Sequence, residues 1–395
     1  MASSPHSESE VSEKDLRQWD LLAHFRQSLK RYHRKKLHRS WSDPRRQVQY
    51  DDYLCLYLFG LLNPALKSMR GLCAASRWER VQQEVCGAAL SLGSFSEAQH
   101  LTDPAGLEEL FGALVAQVQG PPATEVRQAW QQWFARDSSL FAALPRMSWA
   151  LYGGGRAGGA NNAVRLHLNF HLLDDKPAEV QITRGKSCER KVWKESWRAG
   201  AAYVGDRYFG ENYALFGQLE LKGCRFVLRL REEAVINVQE EIELSQEDRK
   251  AGLQRQAWAT LGVRSRSVRL RVLWIALAEG GCLRLVTNVG PQDLQGWEVG
   301  LLYRRRWQIE CFFRWLKCLL GCRHWLAESQ TGVSVQLYLA LIAAVLFQLY
   351  TGRRPNKRMM ELYQMYQLGW ASLEELLVGF EREQQREAHR KTKTG

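Results

Sequence analysis

One carboxylate, Glu310, stands among arginines, lysines and aromatic residues in "YRRRWQIECFFRWLKCLLGCRHW", residues 303–325. A lone acid in such a field is either half of an exposed i,i+4 ion pair or a ligand for a cation whose neighbours hold anions. Wound as a helix at about 100° per residue, the segment puts Tyr303, Arg306, Glu310, Arg314 and Lys317 on one stripe about 80° wide. Ile309, Phe312, Trp315, Leu316, Leu319 and Leu320 fall on the opposite, anchoring side. Ion pairing accounts for the amphipathic pattern but not for basic turns on both sides of a single acid. A carboxylate that holds a divalent metal beside phosphate oxygens does account for it. Such a site needs partner acids from elsewhere, because one glutamate in a basic field cannot hold Mg²⁺ against an anionic substrate.

The charge of the whole chain points the same way. Its 55 Lys plus Arg against 42 Asp plus Glu favour a polyanionic partner, nucleic acid or an acidic membrane surface. Nine Arg or Lys and one Asp lie between residues 26 and 46, interleaved with Tyr32 and Trp41. Against the reading of a merely solvated helix, this clustering fits an arm that follows a phosphate backbone through Lys30, Arg31, Arg34, Lys35, Lys36 and Arg39. Other constellations carry less. His167 and His171, four apart on a strand, stand about 13 Å from each other, too far to share a metal, and read as the strand's polar face. "GGGRAGG" (153–159) lacks the Gly-Lys-Ser/Thr of a phosphate loop and reads as a loop that brings Arg156 near DNA. Nine scattered cysteines without a C-x-x-C pair argue against a disulfide framework or zinc ribbon and suit a reducing cytosol. The polar opening "MASSPHSESEVSEKD" has no secretory pattern.

The elements that must position these residues follow from periodicity. Residues 1–20 have the composition of a disordered N-terminus, and 21–125 read as a basic arm followed by a small helical domain ending near "GPPATEV". After 126 the period changes. "VRLHLNFHLL" alternates with Val164, Leu166, Leu168, Phe170 and Leu172 on one face, "AEVQITR" is its hairpin partner, and "DDKP" supplies the turn. A helix over "KVWKESWRAG" and strands over "AAYVGD" and "GCRFVLRLR" come next, then strand-like runs from 232 to about 283, then "LRLVTN". This order predicts an α/β layer over 126–350 interrupted by a β-rich insertion, with a helical basic tail over 351–395. "VSVQLYLALIAAVLFQLY" (333–350) is 18 uncharged residues long, but Gln336 and Gln348 interrupt it, and a buried core helix is expected rather than a membrane span.

The spacing of Tyr303, Arg306, Glu310 and Lys317 is Y-(2)-R-(3)-E-(6)-K. It resembles the signature of the insertion sequence 4 family of bacterial DDE transposases at all four positions. In that family a second acid ends a strand and is followed by Arg and an aromatic residue, which "YVGDRYFGENY" matches with Asp206, Arg207 and Tyr213. The strand with Arg229, the "LVTN" of Thr287 and Asn288, and "SFSEAQ" (94–99) also resemble the family, so the likeness runs from about 50 to 350. The first acid should precede a small residue and Ser or Thr at the end of a first strand. "WFARDSSLFAALPRM" offers Asp137, with Asp174 and Asp175 as rivals whose place in a hairpin turn already explains them.

The resemblance implies an RNase H-like catalytic core preceded by a helical DNA-binding domain. It implies Asp137, Asp206 and Glu310 as ligands of two Mg²⁺ ions, with Mn²⁺ able to substitute. Tyr303, Arg306, Lys317, Arg207, Arg229 and Arg314 would face DNA phosphates. It further implies cut-and-paste transposition through a DNA hairpin, double-stranded transposon ends and target DNA as partners, and a homodimer in the synaptic complex. Trp258 and Trp274 are the candidates for stacking on an extruded base. A nuclease of the same fold without strand transfer, or a transposase-derived DNA-binding regulator, are the alternatives.

Overall fold

The computed structural model describes residues 18–32, 37–118, 132–154, 160–262, 268–278, 280–319, 325–352 and 354–393. The expected disordered N-terminus up to residue 17, Arg34, Lys35 and Lys36 of the arm, Arg156 of the glycine-rich loop and the "GPPATEV" boundary lie outside the described residues.

The longer helices before the first strand, among the described residues, are α1 (Gln18–Tyr32), α2 (Tyr50–Leu62), α3 (Met69–Ala75), α4 (Leu92–Leu101) and α5 (Pro104–Gln117). Their starts are written locally. Ser68 and Ser91 accept backbone N–H groups of the first turns of α3 and α4, and Asp103 caps α5 ahead of a proline at its first position. A mixed region follows: β1 (Trp133–Ala142), β2 (Leu151–Gly154), β3 (Ala160–His171), β4 (Lys176–Arg184), α6 (Glu189–Glu195), β5 (Ala202–Gly205), α7 (Arg207–Gly210), α8 (Tyr213–Leu221) and β6 (Arg225–Arg229). The remainder comprises β7 (Ile236–Glu241), α9 (Gln246–Lys250), β8 (Leu253–Leu261), β9 (Leu270–Ala276), β10 (Cys282–Thr287), α10 (Gly296–Arg305), α11 (Trp307–Leu319), α12 (Gln330–Thr351), α13 (Lys357–Gln367) and α14 (Leu373–Lys393).

The chain divides into two compact units. The first takes residues 1–118, 143–149 and 314–394, and is helical among its described residues. Its centre is α12, the uncharged stretch read as a core helix. It packs on α1, α2, α4 and α5 and is buried almost throughout, with Phe347 meeting Tyr363 of α13 and Phe380 of α14. Gln336, which interrupts the apolar run, accepts hydrogen bonds from Tyr57 (2.9 Å) and the Leu326 N–H (3.0 Å). By length and composition α12 is the one helix among the described residues that would pass as a membrane span, and its burial explains its hydropathy. The chain therefore divides at 313/314, not at 350, because α12 finds its apolar partners among the N-terminal helices.

The second unit, residues 119–142 and 150–313, is built on a ten-stranded sheet in the order β2-β3-β1-β5-β6-β10-β9-β8-β7, with β4 also on β3. β1, β5 and β6 run parallel, and β3 is antiparallel to β1. The strands expected to form a separate insertion instead continue this sheet, because β10 pairs antiparallel with β6. Alternation on β3 is as read: Val164, Leu166, Leu168 and Phe170 are fully buried. The register sets them on the face shared by Ala135, Asp137, Ser139 and Phe141 of β1. The opposite face carries Arg136, Ser138, Arg165, His167 and Asn169. It is polar and covered: Arg136 and His167 are both inaccessible, and His167 bonds Thr183 (3.0 Å) while burial pushes its pKa down to about 3. A core of Trp193, Tyr203, Phe209, Phe216, Phe226 and their neighbours packs α6, α7 and α8 against the sheet.

Candidate active site: an arginine-bridged acid cluster

Asp137 sits mid-strand on β1, on the apolar face, its side chain about one-fifth exposed. Its Oδ1 accepts the N–H of Ser138 (2.8 Å). The rivals Asp174 and Asp175 are in the β3–β4 turn as expected: Asp174 pairs with His171 (3.2 Å) and Lys176 (3.0 Å), and Asp175 takes a left-handed φ of 50°. Asp206 follows β5 directly and accepts the Tyr208 N–H (3.0 Å), capping the short helix α7. That helix lies hard against β6. A Cβ on Gly210 would meet the carbonyl oxygen of Arg229 at 1.9 Å, so only glycine allows the approach.

Glu310 belongs to α11, and here the single helix read from residue 303 onward needs correction. α10 ends at Arg305, Arg306 caps it, and α11 begins at Trp307. Tyr303 therefore sits on the preceding helix, across the break from Glu310, with the Arg306 guanidinium 5.7 Å over its ring. The cause is tertiary. Arg305 donates to the Leu172 carbonyl (3.0 Å), and Arg306 turns toward Asp137. The apolar side of α11 is as expected, with Ile309, Phe312, Trp315, Leu316 and Leu319 buried and Phe312 against Phe170; Leu320 lies outside the described residues.

Arg306 joins the acids. Its guanidinium reaches Glu310 at 2.6 Å and Asp137 at 3.6 Å while only 14% exposed. Burial disfavours its charge, yet Tyr303, Asp137 and Glu310 together hold its pKa above the ordinary value. Burial pushes Asp137 up to about 7, reinforced by the charges of Asp206 and Glu189 and opposed by the Ser138 N–H and Arg306. Tyr303 hydrogen-bonds Arg229 and feels Asp206, while burial raises its phenol. The structure thus brings Asp137, Asp206, Glu310, Arg306, Tyr303 and Arg229 into one neighbourhood. Among the described residues, no three His, Cys, Asp or Glu side chains gather closely enough to share one ion, and the guanidinium stands between two of the acids. The donor set nevertheless suits a hard divalent cation. It consists of carboxylate oxygens, a cationic group already sits between two of them, and negative charge at Asp137 is under electrostatic penalty.

The other expected contacts are placed as follows. Arg207 is exposed beside Asp206. Arg314 and Lys317 lie one and nearly two turns beyond Glu310 on α11, in the part of that helix assigned to the helical unit. Lys30 and Arg31 end α1, and Arg39 is exposed after it, whereas Arg26 is tied to Asp51 (2.9 Å) and Asp52 (2.7 Å). Trp258 and Trp274 cannot flank one base. Their registers put them on opposite faces of the sheet, Trp258 beneath Arg269 and Trp274 beneath Arg255. Sequence reasoning passed over Arg165, Glu189 and Arg190, which surround the segments bearing Asp137 and Asp206. The polar alternation of β3 was the available signal for the first of them.

The profile of the family described as Transposase DDE domain matches residues 128–346. The "Probable transposase for insertion sequence element IS5377" of Geobacillus stearothermophilus is 28% identical over 51% of this chain and 52% of its own length. The "Putative transposase y4zB" of Sinorhizobium fredii is 25% identical over 61% of this chain and 66% of its own. The "Putative transposase for insertion sequence element IS4SA" of a Synechocystis strain is 21% identical over 75% of this chain and 80% of its own. The chain spans about half to two thirds of the length of the first two.

Proposed function

The chain belongs to the Transposase DDE domain family, and on that premise we propose that it is a DNA transposase whose acids are Asp137, Asp206 and Glu310. The observation that carries this reading is that Arg306 links the acids of β1 and α11, Asp137 and Glu310, while Asp206 at the end of β5 is near enough for Asp137 to feel its charge, within the matched region. The strand order β4-β3-β1-β5-β6, with β1, β5 and β6 parallel, supports an RNase H-like core. The domains are then a helical DNA-binding part with a basic arm and a catalytic part extended by β7–β10.

DDE transposase domains generally use divalent metal ions. Here Asp137, Asp206 and Glu310 would hold Mg²⁺, which when bound polarises the scissile phosphate and activates the attacking oxygen. The chain's own groups do the rest. Arg306, set between Asp137 and Glu310, would offer a forked donor to a phosphate oxygen. Arg229, oriented by Tyr303, presents a second cation to the backbone next to it. The partners in this reading are transposon-end duplexes, target DNA and a second copy of the chain, with cleavage through a hairpin followed by joining.

The test uses duplexes cut from the DNA on either side of the gene, where this reading places terminal inverted repeats. Glu310→Gln should abolish Mg²⁺-dependent cleavage while DNA binding persists. Cleavage that survives the change removes Glu310 from the chemistry, and loss of binding makes it structural. Joined products from the wild-type protein separate a transposase from a nuclease, and metal-independent binding without cleavage indicates a regulator.

A further inference from the structure

The ladder between β1 and β5 pairs Trp133–Ala135 with Ala202–Val204 and stops there. Asp137 and Asp206 each lie two residues beyond its last pair, so backbone hydrogen bonds do not fix the spacing of the two strand-borne acids. Something else must.

Two consecutive residues of α6 reach both segments. Glu189 accepts from Arg165 (3.1 Å), and the same Arg165 nitrogen donates to the Ser138 hydroxyl (2.9 Å), while its Nε holds the Gly185 carbonyl (3.2 Å). Ser138 in turn gives its N–H to Asp137. Arg190 donates from Nε (3.1 Å) and Nη2 to the Tyr208 carbonyl, lies 4.1 Å over the Tyr208 ring, and pairs with Glu211 (3.3 Å). Tyr208 gives its N–H to Asp206. Both relays are largely screened from solvent: Arg165 and Glu189 are 16% and 14% exposed, and Arg190 and Glu211 are 24% and 22%. The helix is held in place from below by Trp193, which is fully buried against Trp197, Tyr203 and Phe209.

We infer that α6 is a brace that sets the separation of Asp137 and Asp206, with Glu189 and Arg190 as positioning residues acting through Arg165–Ser138 and through Tyr208. The inference rests on the reading of these two acids as metal-holding groups. Neither brace residue is itself one of the acids read as holding the metal. Their effect is on how well two carboxylates meet one ion, the kind of outer-sphere support whose loss costs about 10–100-fold in metal affinity.

The test is Mn²⁺ binding to the full chain, followed by the electron paramagnetic resonance signal of free Mn²⁺ with no DNA present. Glu189→Ala and Arg190→Ala should each weaken binding by about tenfold. Melting temperature and metal-free duplex binding should stay close to wild type. Glu189→Gln, which keeps an acceptor for Arg165, should recover most of the affinity; this rescue is what a purely structural role would not show. The double variant should bind little worse than either single one, since the spacing is lost once either grip is released. If Glu189→Ala does not fold, Arg190→Lys replaces it, keeping the charge but only one donor for Tyr208, with an intermediate loss expected. Wild-type affinity in folded variants overturns the brace, as does full multiplication of the two losses. Wild-type protein that neither binds Mn²⁺ nor cleaves DNA overturns the metal reading itself, and the brace with it.

Discussion

Replacing Asp137 by Asn should make the metal-free protein more stable, and only above a certain pH. Burial, with Asp206 and Glu189 nearby, lifts this carboxyl to about 7, against an ordinary value of 3.8. The folded-state value lies above the unfolded one, so between about pH 4 and pH 7 the folded chain holds a proton that the unfolded chain has released. Wild-type stability therefore falls as pH rises through that window and levels off above it. At about 1.4 kcal/mol per tenfold change in proton affinity, the gap sets a ceiling of about 4 kcal/mol. Arg306 is already counted within the value of 7, and solvent at the exposed fifth of the side chain lowers the gain further. About 2 kcal/mol is the expected advantage of Asp137→Asn at pH 8, a rise of several degrees in melting temperature. Near pH 4 the two proteins should melt together. The assay is thermal unfolding of both proteins in chelator across this range. A difference that is the same at both ends, or an asparagine variant less stable at pH 8, refutes the claim that burial of charge at Asp137 is a stored cost of the site.

Gly210→Ala should cost about 3 kcal/mol, because its Cβ would overlap the Arg229 carbonyl and force α7 off β6; a urea midpoint near wild type would refute the close approach. Trp193→Ala should cost about 3–5 kcal/mol through the cavity left among Trp197, Tyr203 and Phe209, read from the same denaturation curves. Removing the charges of Lys30, Arg31 and Arg39 together should reduce the slope of log affinity against log salt by about 0.9 for each phosphate these side chains neutralise. An unchanged slope takes this arm out of the DNA interface. Trp258→Ala and Trp274→Ala, tested on a duplex with an unpaired base at the cleavage site, should not both weaken binding, since the two rings face opposite ways.

The sequence signals for the acids are local ones. Glu310 and its basic neighbours are read from spacing along one short segment, and Asp206 from the resemblance of "YVGDRYFGENY" to the family pattern of an acid after a strand. The bridge between them was not legible. Nothing near Arg306 breaks a helix by propensity; the interruption comes from Arg305 reaching the Leu172 carbonyl and Arg306 reaching Asp137, partners 133 and 169 residues away. On β1 the polar Arg136 is inaccessible and donates to Asn169 (3.3 Å), which donates to Glu179 (2.7 Å). A polar layer under a sheet hides from any rule that equates burial with apolar residues. β8 carries the same kind of buried polar pair. Its Gln256 is buried because Arg271 of β9 binds it, at 2.6 Å from Nη2.

The continuation of the sheet from β6 to β7 bears on how this protein is completed during synthesis. After β6 the chain goes directly to the outermost strand, β7, then works back inward, so the partner of β6 is β10, the last strand to be synthesised. Until it arrives, β6 has an open flank. β10 pairs with β9 as a local hairpin and with β6 across a long stretch of chain, so the β6 contact is the non-local one. A nascent chain paused before Cys282 would expose two unpaired edges, the situation in which chaperones are most needed.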